Sequence, residues 1–303
     1  MIELRRLAAF VAVAEEGHIT RAAERLGMAQ PPLSRLVRGL ETELGTLLLR
    51  RLPRGVAPTE AGLALLSEAR IVLARAAAVG ETVRRTARGE QGRLAIGFTS
   101  SAALHPFVPA VLRTFRAERL GVRLELDEAG TAELVEAMLQ GRLDAAFVRS
   151  PVGSVRGLIV DPVLDEPMLV ALPAGHRLAG DTGSALPLAA LAMEDFILYR
   201  RPAGPGLYDA IVTACRGAGF TPVVVQEAPR LPSTLSLVAA GLGISLVPAS
   251  MRRFAMAGVS FRTLRDCPGL SAPLHLALRR ADLSATAVRF RETVRRLDRA
   301  ASG

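Results

Sequence analysis

Lysine is absent from this 303-residue chain: all 38 basic residues are arginine. A Schiff-base lysine and a phosphate-loop lysine are therefore both excluded. Tryptophan is also absent and aromatics make up only 4% of residues, so no base-stacking platform for single-stranded nucleic acid is in view. The two cysteines, Cys215 and Cys267, have no second thiol nearby. That excludes a disulfide framework and a paired-cysteine metal site, and it suits a reducing cytosol. No apolar run reaches the ~18–20 residues needed to span a bilayer. The start, Met1-Ile2-Glu3-Leu4-Arg5-Arg6, carries acid before base and no long apolar core, so it does not read as a secretory signal. A soluble cytoplasmic protein with no membrane partner is expected. Against 29 acidic residues the arginines leave a net charge of +9, which is compatible with nucleic acid without identifying it.

Catalytic chemistry is equally thin. His18, His105, His176 and His275 are scattered, with no pair at metal-ligand spacing, and no nucleophile elbow or glycine-rich phosphate loop occurs. No enzyme activity, metal or cofactor is expected.

What is present falls into two textures. The first ninety residues read as helix after helix. Leu4, Leu7, Phe10, Val11 and Ala14 recur at helical spacing until Gly17. Thr20 can cap a short second helix that ends at Gly27. Pro31 and Pro32 suit the first turn of a third helix, which runs through Leu33, Leu36, Val37, Leu40 and Leu44 to Gly45. Two helices across a tight glycine-containing turn make a helix-turn-helix. The stretch from Leu47 to Val56, with Arg50, Arg51 and Arg54 about its tip, reads as a short basic hairpin, a wing. From Thr59 to Arg88 a long alanine-rich helix places Leu65, Val72 and Val79 seven apart, with Ala69, Ala76 and Val83 at matching positions, a pattern that suits helix–helix dimerisation.

Beyond Gly92 strands and helices alternate. Strands at 93–98, 122–128 and 145–148 enclose helices at 107–118 and 132–140, which implies a parallel sheet. A second set has strands at 168–172, 196–199, 222–226 and 244–247, with helical segments at 188–192, 207–218 and 232–240. A strand at 274–279 and a helix at 285–299 return to the first lobe. The fold class is α/β: a winged helix-turn-helix at 1–58, a dimerising linker helix at 59–89 and a two-lobed domain at 90–303. Lobe I takes about 90–164 and 268–303, and lobe II about 165–267.

Specific motifs then come into play. The run from Phe10 to Gly17, the run from Ile19 to Leu26, and Ala29-Gln30-Pro31-Pro32-Leu33-Ser34-Arg35 resemble LysR-type transcriptional regulators. Leu40-Glu41-x-Glu43-Leu44-Gly45, Pro58-Thr59-Glu60-Ala61-Gly62, Gly141-Arg142-Leu143-Asp144-Ala145 and the run from Val238 to Pro248 extend the likeness over essentially the whole chain. Within the family the chain looks most like the branch that controls aromatic-compound catabolism and senses muconate or benzoate. One departure is His18, where many members carry Ser. The resemblance implies a periplasmic-binding-protein-like effector domain, a homotetramer built as a dimer of dimers, double-stranded promoter DNA and RNA polymerase as partners, and a small-molecule effector, an organic acid.

Candidate site residues follow in two groups. Gln30, Ser34 and Arg35 lie near the start of the third helix, where Gln pairs bidentately with adenine and Arg with guanine. Pro31 and Pro32 offer apolar contact to a thymine methyl. Thr20, Arg21, Arg38, Arg51 and Arg54 are cast as phosphate contacts, while Arg50 is equally a solvated charge. In the sensor domain, Thr99, Ser100, Ser101 and Thr131 sit where parallel strands run into helices, a place for small anions, although helix capping explains such hydroxyls as well. The resemblance favours Ser101 and Thr131 as ligand hydroxyls. Arg149 and Glu227 match an Arg and a Glu near that branch's cleft, and an ion pair between lobes is an equal reading. Pro202 and Leu207 belong to the second lobe's wall. Arg200 and Arg201 depart from the muconate sensors and either favour a carboxylate or are solvated.

Two rival classes remain open on sequence alone. A solute-binding receptor explains the lobes but leaves residues 1–89 without use. An α/β enzyme with an accessory DNA domain requires a clustered acid–base or metal constellation.

Overall fold

The computed structural model describes residues 1–149, 155–180, 183–200, 205–281 and 283–302. The chain divides between Arg85 and Thr86 into two compact units.

The first unit holds α1 (Leu4–Glu16), α2 (Ile19–Arg25), α3 (Gln30–Leu44), the antiparallel hairpin of β1 (Leu49–Leu52) and β2 (Gly55–Pro58), and most of α4 (Glu60–Ala87). Helix α1 ends at Gly17, which takes the left-handed conformation with φ 62°. The second helix is capped by His18, whose backbone is extended and whose Nδ1 accepts from the Thr20 amide at 3.3 Å. Thr20, expected as the cap, lies inside the helix, because the residue with the extended backbone that a cap requires is His18. Pro31 and Pro32 occupy the first turn of α3. The hairpin rests on the α1–α2 turn: the Val56 amide donates to the Gly17 carbonyl at 2.9 Å. Gly55 has φ +100°, and a Cβ there would stand 2.3 Å from that same carbonyl oxygen, so only glycine fits.

Helix α4 has two environments. Thr59 Oγ1 caps it through the Gly62 amide, and Arg70 sends Nε and Nη2 to Glu15 of α1 at 2.9 and 2.8 Å. Ala69 is buried, and Leu65, Leu66 and Leu73 pack against Leu7, Phe10, Val11, Leu40 and Leu48. Leu65 and Ala69, assigned on heptad spacing to a partner helix, therefore pack on their own unit. The rest of the stripe is more open, with Val72 exposed and Val79 and Val83 both 63% accessible, and Leu63 and Ile71 are exposed on another side of the helix.

The second unit begins with β3 (Gln91–Phe98), α5 (Ser100–Ala103), α6 (Phe107–Glu118), β4 (Gly121–Glu128), α7 (Thr131–Leu139) and β5 (Ala145–Val148). There follow β6 (Leu158–Pro173), β7 (Leu186–Pro187), β8 (Asp195–Tyr199), α8 (Pro205–Gly217), β9 (Val223–Ala228), α9 (Leu231–Ala239), β10 (Ser245–Pro248), β11 (Val259–Arg265), β12 (Ser271–Arg279) and α10 (Ala285–Ser302). The first lobe's sheet runs β4-β3-β5-β12-β6, its first three strands parallel. Side chains fill both faces; on one, Phe290 of α10 meets Phe115 and Phe147 edge to face at 5.2 and 6.0 Å. In the second lobe β10 and β11 flank the end of β6, while β8 pairs β9 in parallel and bridges to the chain at Ile244.

Two strands depart from the sequence expectation. β6 is one 16-residue strand, not 168–172: Leu158–Pro167 pairs with β12 in the first lobe, and Met168–Pro173 continues into the second. Asp161, Pro162, Asp165, Glu166 and Pro167 obscure its pattern. They are tolerated because the first half is an edge with one neighbour, and the register slips between Leu274 and His275 of β12. β11 was not anticipated, since its buried member is Arg262, whose Nη1 and Nη2 donate to the Leu178 and Ser184 carbonyls at 2.7 and 2.6 Å.

Helix α10 is also tied to β6 by charge. Arg291 forks onto both oxygens of Asp161 at 2.6 and 2.7 Å, and Arg295 adds 3.1 Å. The Arg291 bonds, with those of Arg295, hold the Asp161 carboxyl below its ordinary 3.8 against the opposing effect of burial. A depressed carboxylate stabilises above its unfolded pKa and loses that contribution as pH falls through the folded value. Asp161→Asn should lower stability by about 1 kcal/mol at neutral pH, discounted for the partly exposed arginines. The gap from wild type should narrow as pH falls below the ordinary carboxylate range, in denaturant titrations at several pH values.

Candidate nucleic-acid interface and ligand cleft

In the first unit the start of α3 and the hairpin bound a small groove. Gln30, Ser34 and Arg38 line it from the helix, one turn apart, and Arg50 and Arg51 line it from β1. Glu41 pins the two walls together: its Oε1 accepts from the Leu48 and Leu49 amides at 2.9 and 3.2 Å, fixing where the hairpin leaves the helix. Sequence reasoning missed this role, and seven-residue separation across a turn gives no local signal for it. Thr20, Arg21, Pro31, Pro32, Arg35 and Arg54 lie outside the groove lining, all exposed except the half-buried Pro32. Arg21 is turned back onto the Glu16 carbonyl.

Charge pairing separates these arginines from their neighbours. Arg6 holds Glu43, Arg25 holds Glu15 and Glu16, and Arg70 holds Glu15. Among the described residues no carboxylate pairs with Arg35, Arg38, Arg50, Arg51 or Arg54. A groove that joins the uncommitted Arg38, Arg50 and Arg51 to Gln30 and Ser34 has the composition that phosphate and base edges require.

In the second unit a cleft of about 360 Å³ lies where parallel strands end. β3 delivers Thr99, Ser100 and Ser101; β4 delivers Glu128, Gly130 and Thr131; Arg149 follows β5. From the other lobe come Tyr199 and Arg200 at the end of β8, Leu207 on α8, and Pro229, Arg230 and Leu231 at the start of α9. Thr99, Ser101 and Thr131 are each more than nine-tenths buried. Thr99 Oγ1 also caps α5 through the Ala102 amide, and Ser100 Oγ donates to Glu128 at 2.6 Å. Capping and cleft lining thus coexist in the same residues. Pro202 and Arg201 lie outside the described residues.

Arg149 is buried at the crossing of the lobes. It bonds the Ala272 carbonyl at 2.6 Å and the Ser101 carbonyl at 3.2 Å, and pairs with Glu166. Glu166 in turn accepts from the Ser250 amide at 2.7 Å and the Ser250 hydroxyl at 3.1 Å. Burial draws the Arg149 pKa down and Glu166 opposes it. Glu227, placed near the cleft with Arg149, is corrected: it is exposed and lines no part of it. Along β9 the buried residue is Ala228, and Glu227 before it stays exposed with Val225 and Gln226.

Two cleft features were missed. Arg230 Nη1 reaches Glu128 at 2.6 Å, joining the lobes across the mouth from positions 102 apart, a pairing with no local signature. Tyr199 is 7% exposed, and its hydroxyl has no hydrogen-bond partner among the described residues. Burial, reinforced by Asp209, raises its pKa, so it remains a protonated donor. The thiols offer no reactive alternative: burial pushes Cys215 up to about 11 and Cys267 upward as well. Among the described residues no three His, Cys, Asp or Glu side chains gather as a metal site, and no helix is long and apolar enough to cross a membrane.

Comparison with known proteins accords with both regions. Residues 4–63 match the bacterial regulatory helix-turn-helix protein, lysR family, and residues 87–299 match the LysR substrate binding domain. The regulator BudR of Raoultella terrigena is 40% identical over 96% of this chain and 99% of its own length. BenM of Acinetobacter baylyi is 33% identical over 98% of this chain and 96% of its own. The crystal structure of CbnR, a LysR family transcriptional regulator, superposes with a TM-score of 0.85 at 29% identity, covering 96% of this chain and 99% of that one. CbnR has also been solved in complex with its target DNA. These families and relatives are transcriptional regulators and not enzymes, and this chain belongs to the LysR family.

Proposed function

We propose that α3 and the hairpin read promoter DNA and that a small organic acid bound between the lobes controls the outcome. The observation that carries the DNA assignment is the groove in which the uncommitted Arg38, Arg50 and Arg51 stand beside Gln30 and Ser34. Gln30, Ser34 and Arg35 read base edges, Pro31 and Pro32 add apolar contact, and Thr20, Arg21, Arg38, Arg51 and Arg54 set the register on phosphate. Arg50, which lines the groove with Arg51, joins the phosphate group.

The exposed later half of α4 supports a dimerising linker, and the assembly is a dimer of dimers that engages RNA polymerase at the promoter. In the cleft, the buried hydroxyls of Thr99, Ser101 and Thr131 orient the ligand. Arg200, which lines the cleft and pairs with no carboxylate among the described residues, attracts its acid group. Aromatic acids and ring-cleavage diacids fit this chemistry and the likeness to BenM. BudR, at higher identity, leaves the choice among acids to experiment. Ligand binding favours one separation of the lobes, which re-spaces the DNA-binding heads and alters DNA bending. This is a population shift rather than a chemical step.

Mobility shifts against the DNA upstream of the chain's own gene test the first half. Arg35→Ala should weaken specific binding by about 1–3 kcal/mol while non-specific binding falls far less; equal losses would reduce Arg35 to a phosphate contact. Thermal-shift screening of aromatic acids and diacids tests the second half. Thr131→Val should abolish the shift produced by an acid that stabilises wild type, with DNA binding intact, and a retained shift would remove Thr131 from the site.

A further inference from the structure

The end of β8 places two different donors side by side in the cleft. Arg200 is exposed, its amide fixed to the Ala228 carbonyl at 3.0 Å, and among the described residues no carboxylate holds it. Tyr199 precedes it and points the other way in character. Its side chain belongs to the second lobe's hydrophobic core, leaving the residue 7% exposed. The residue nevertheless lines the cleft, and its hydroxyl, itself buried, has no hydrogen-bond partner among the described residues.

A buried hydroxyl without a partner is costly, and phenylalanine would fill the same core without that cost. The hydroxyls of Thr99 and Ser101 differ, since they face each other at 3.4 Å and Thr99 also caps α5. Tyr199 alone joins a deeply buried ring to an unspent donor.

We infer that Tyr199 is an effector-binding residue whose hydroxyl donates to an uncharged oxygen of the ligand. The effector is then an oxygenated organic acid, one carrying a carbonyl or hydroxyl group besides its carboxylate. The inference rests on the proposal that an acid occupies this cleft, and it adds the second functional group that the site recognises. Division of labour follows from chemistry: Arg200 supplies the long-range attraction common to all small acids, and Tyr199 supplies the distinction among them. A site with a buried polar donor rejects an analogue lacking the matching oxygen more strongly than an apolar pocket rejects a missing methylene.

The test compares matched acids on the full chain. The 2-, 3- and 4-oxopentanoates are set against pentanoate, and the three hydroxybenzoates against benzoate, by thermal shift and calorimetry at millimolar ligand. Tyr199→Phe removes one oxygen and keeps the ring, so the fold is retained. It should lose about tenfold affinity for the oxygenated acid that wild type prefers, and change less than about twofold for the unsubstituted one. Equal loss for both acids, or none for either, overturns the role of Tyr199 while leaving the cleft as the binding site. Failure of all these acids to stabilise wild type overturns the acid-cleft reading and this inference with it.

A second readout is optical. The chain has no tryptophan and only two tyrosines, so Tyr208→Phe leaves Tyr199 as the sole tyrosine chromophore. Its near-UV band should move to the red when the preferred oxopentanoate binds and stay fixed with pentanoate. A band unmoved by a ligand that demonstrably binds overturns the inference.

Discussion

The second unit depends on one strand belonging to two lobes. β6 pairs with β12 through Leu158–Pro167 and with β10 and β11 beyond it, so the same backbone is an edge in one sheet and interior in the next. Where it changes role, Glu166 binds Arg149 from the first lobe and Ser250 from the second. Both charges are buried, and removing either would leave its partner uncompensated in a poor dielectric. The crossing is thus held by polar groups as well as by the buried Met168, Leu270 and Ala272, which fixes where the lobes meet.

Arginine does three separate kinds of work in a chain that has no other strong cation. Arg70, Arg291 and Arg295 tie helices to carboxylates, and Arg149 and Arg262 satisfy carbonyls in the interior. A third group, on α3 and the hairpin, is committed to nothing among the described residues. Net charge does not distinguish these groups. The presence or absence of a carboxylate neighbour does, and that is a property of the folded chain alone.

Legibility in the sequence follows the range of the interaction. α1, α3 and the parallel strands β3, β4 and β5 were legible because apolar periodicity, glycine stops and first-turn prolines act within a few residues. The hydroxyls of Thr99, Ser101 and Thr131 were legible because a strand running into a helix is itself a local pattern. β6 and β11 were not, since charged and proline residues fill positions whose tolerance depends on neighbours a hundred residues away. The bridge from Glu128 to Arg230 was hidden for the same reason, and the pairing of Arg149 with Glu166, 17 residues on, has no local signature either. Helix α4 shows an intermediate case: heptad spacing marks an apolar stripe correctly but cannot say which part of it meets the chain's own α1.

The bridge between Glu128 and Arg230 lies in partly exposed surroundings, so dissolved salt weakens it. Salt weakens guanidinium–phosphate contacts as well. Ionic strength therefore reaches both units of the chain at once, loosening the mouth of the cleft while it loosens the hold on a polyanion. A regulator built in this way has its cleft and its DNA-binding unit tied to the same property of the surrounding solution. Osmotic change would move the two together even when neither ligand nor promoter has changed.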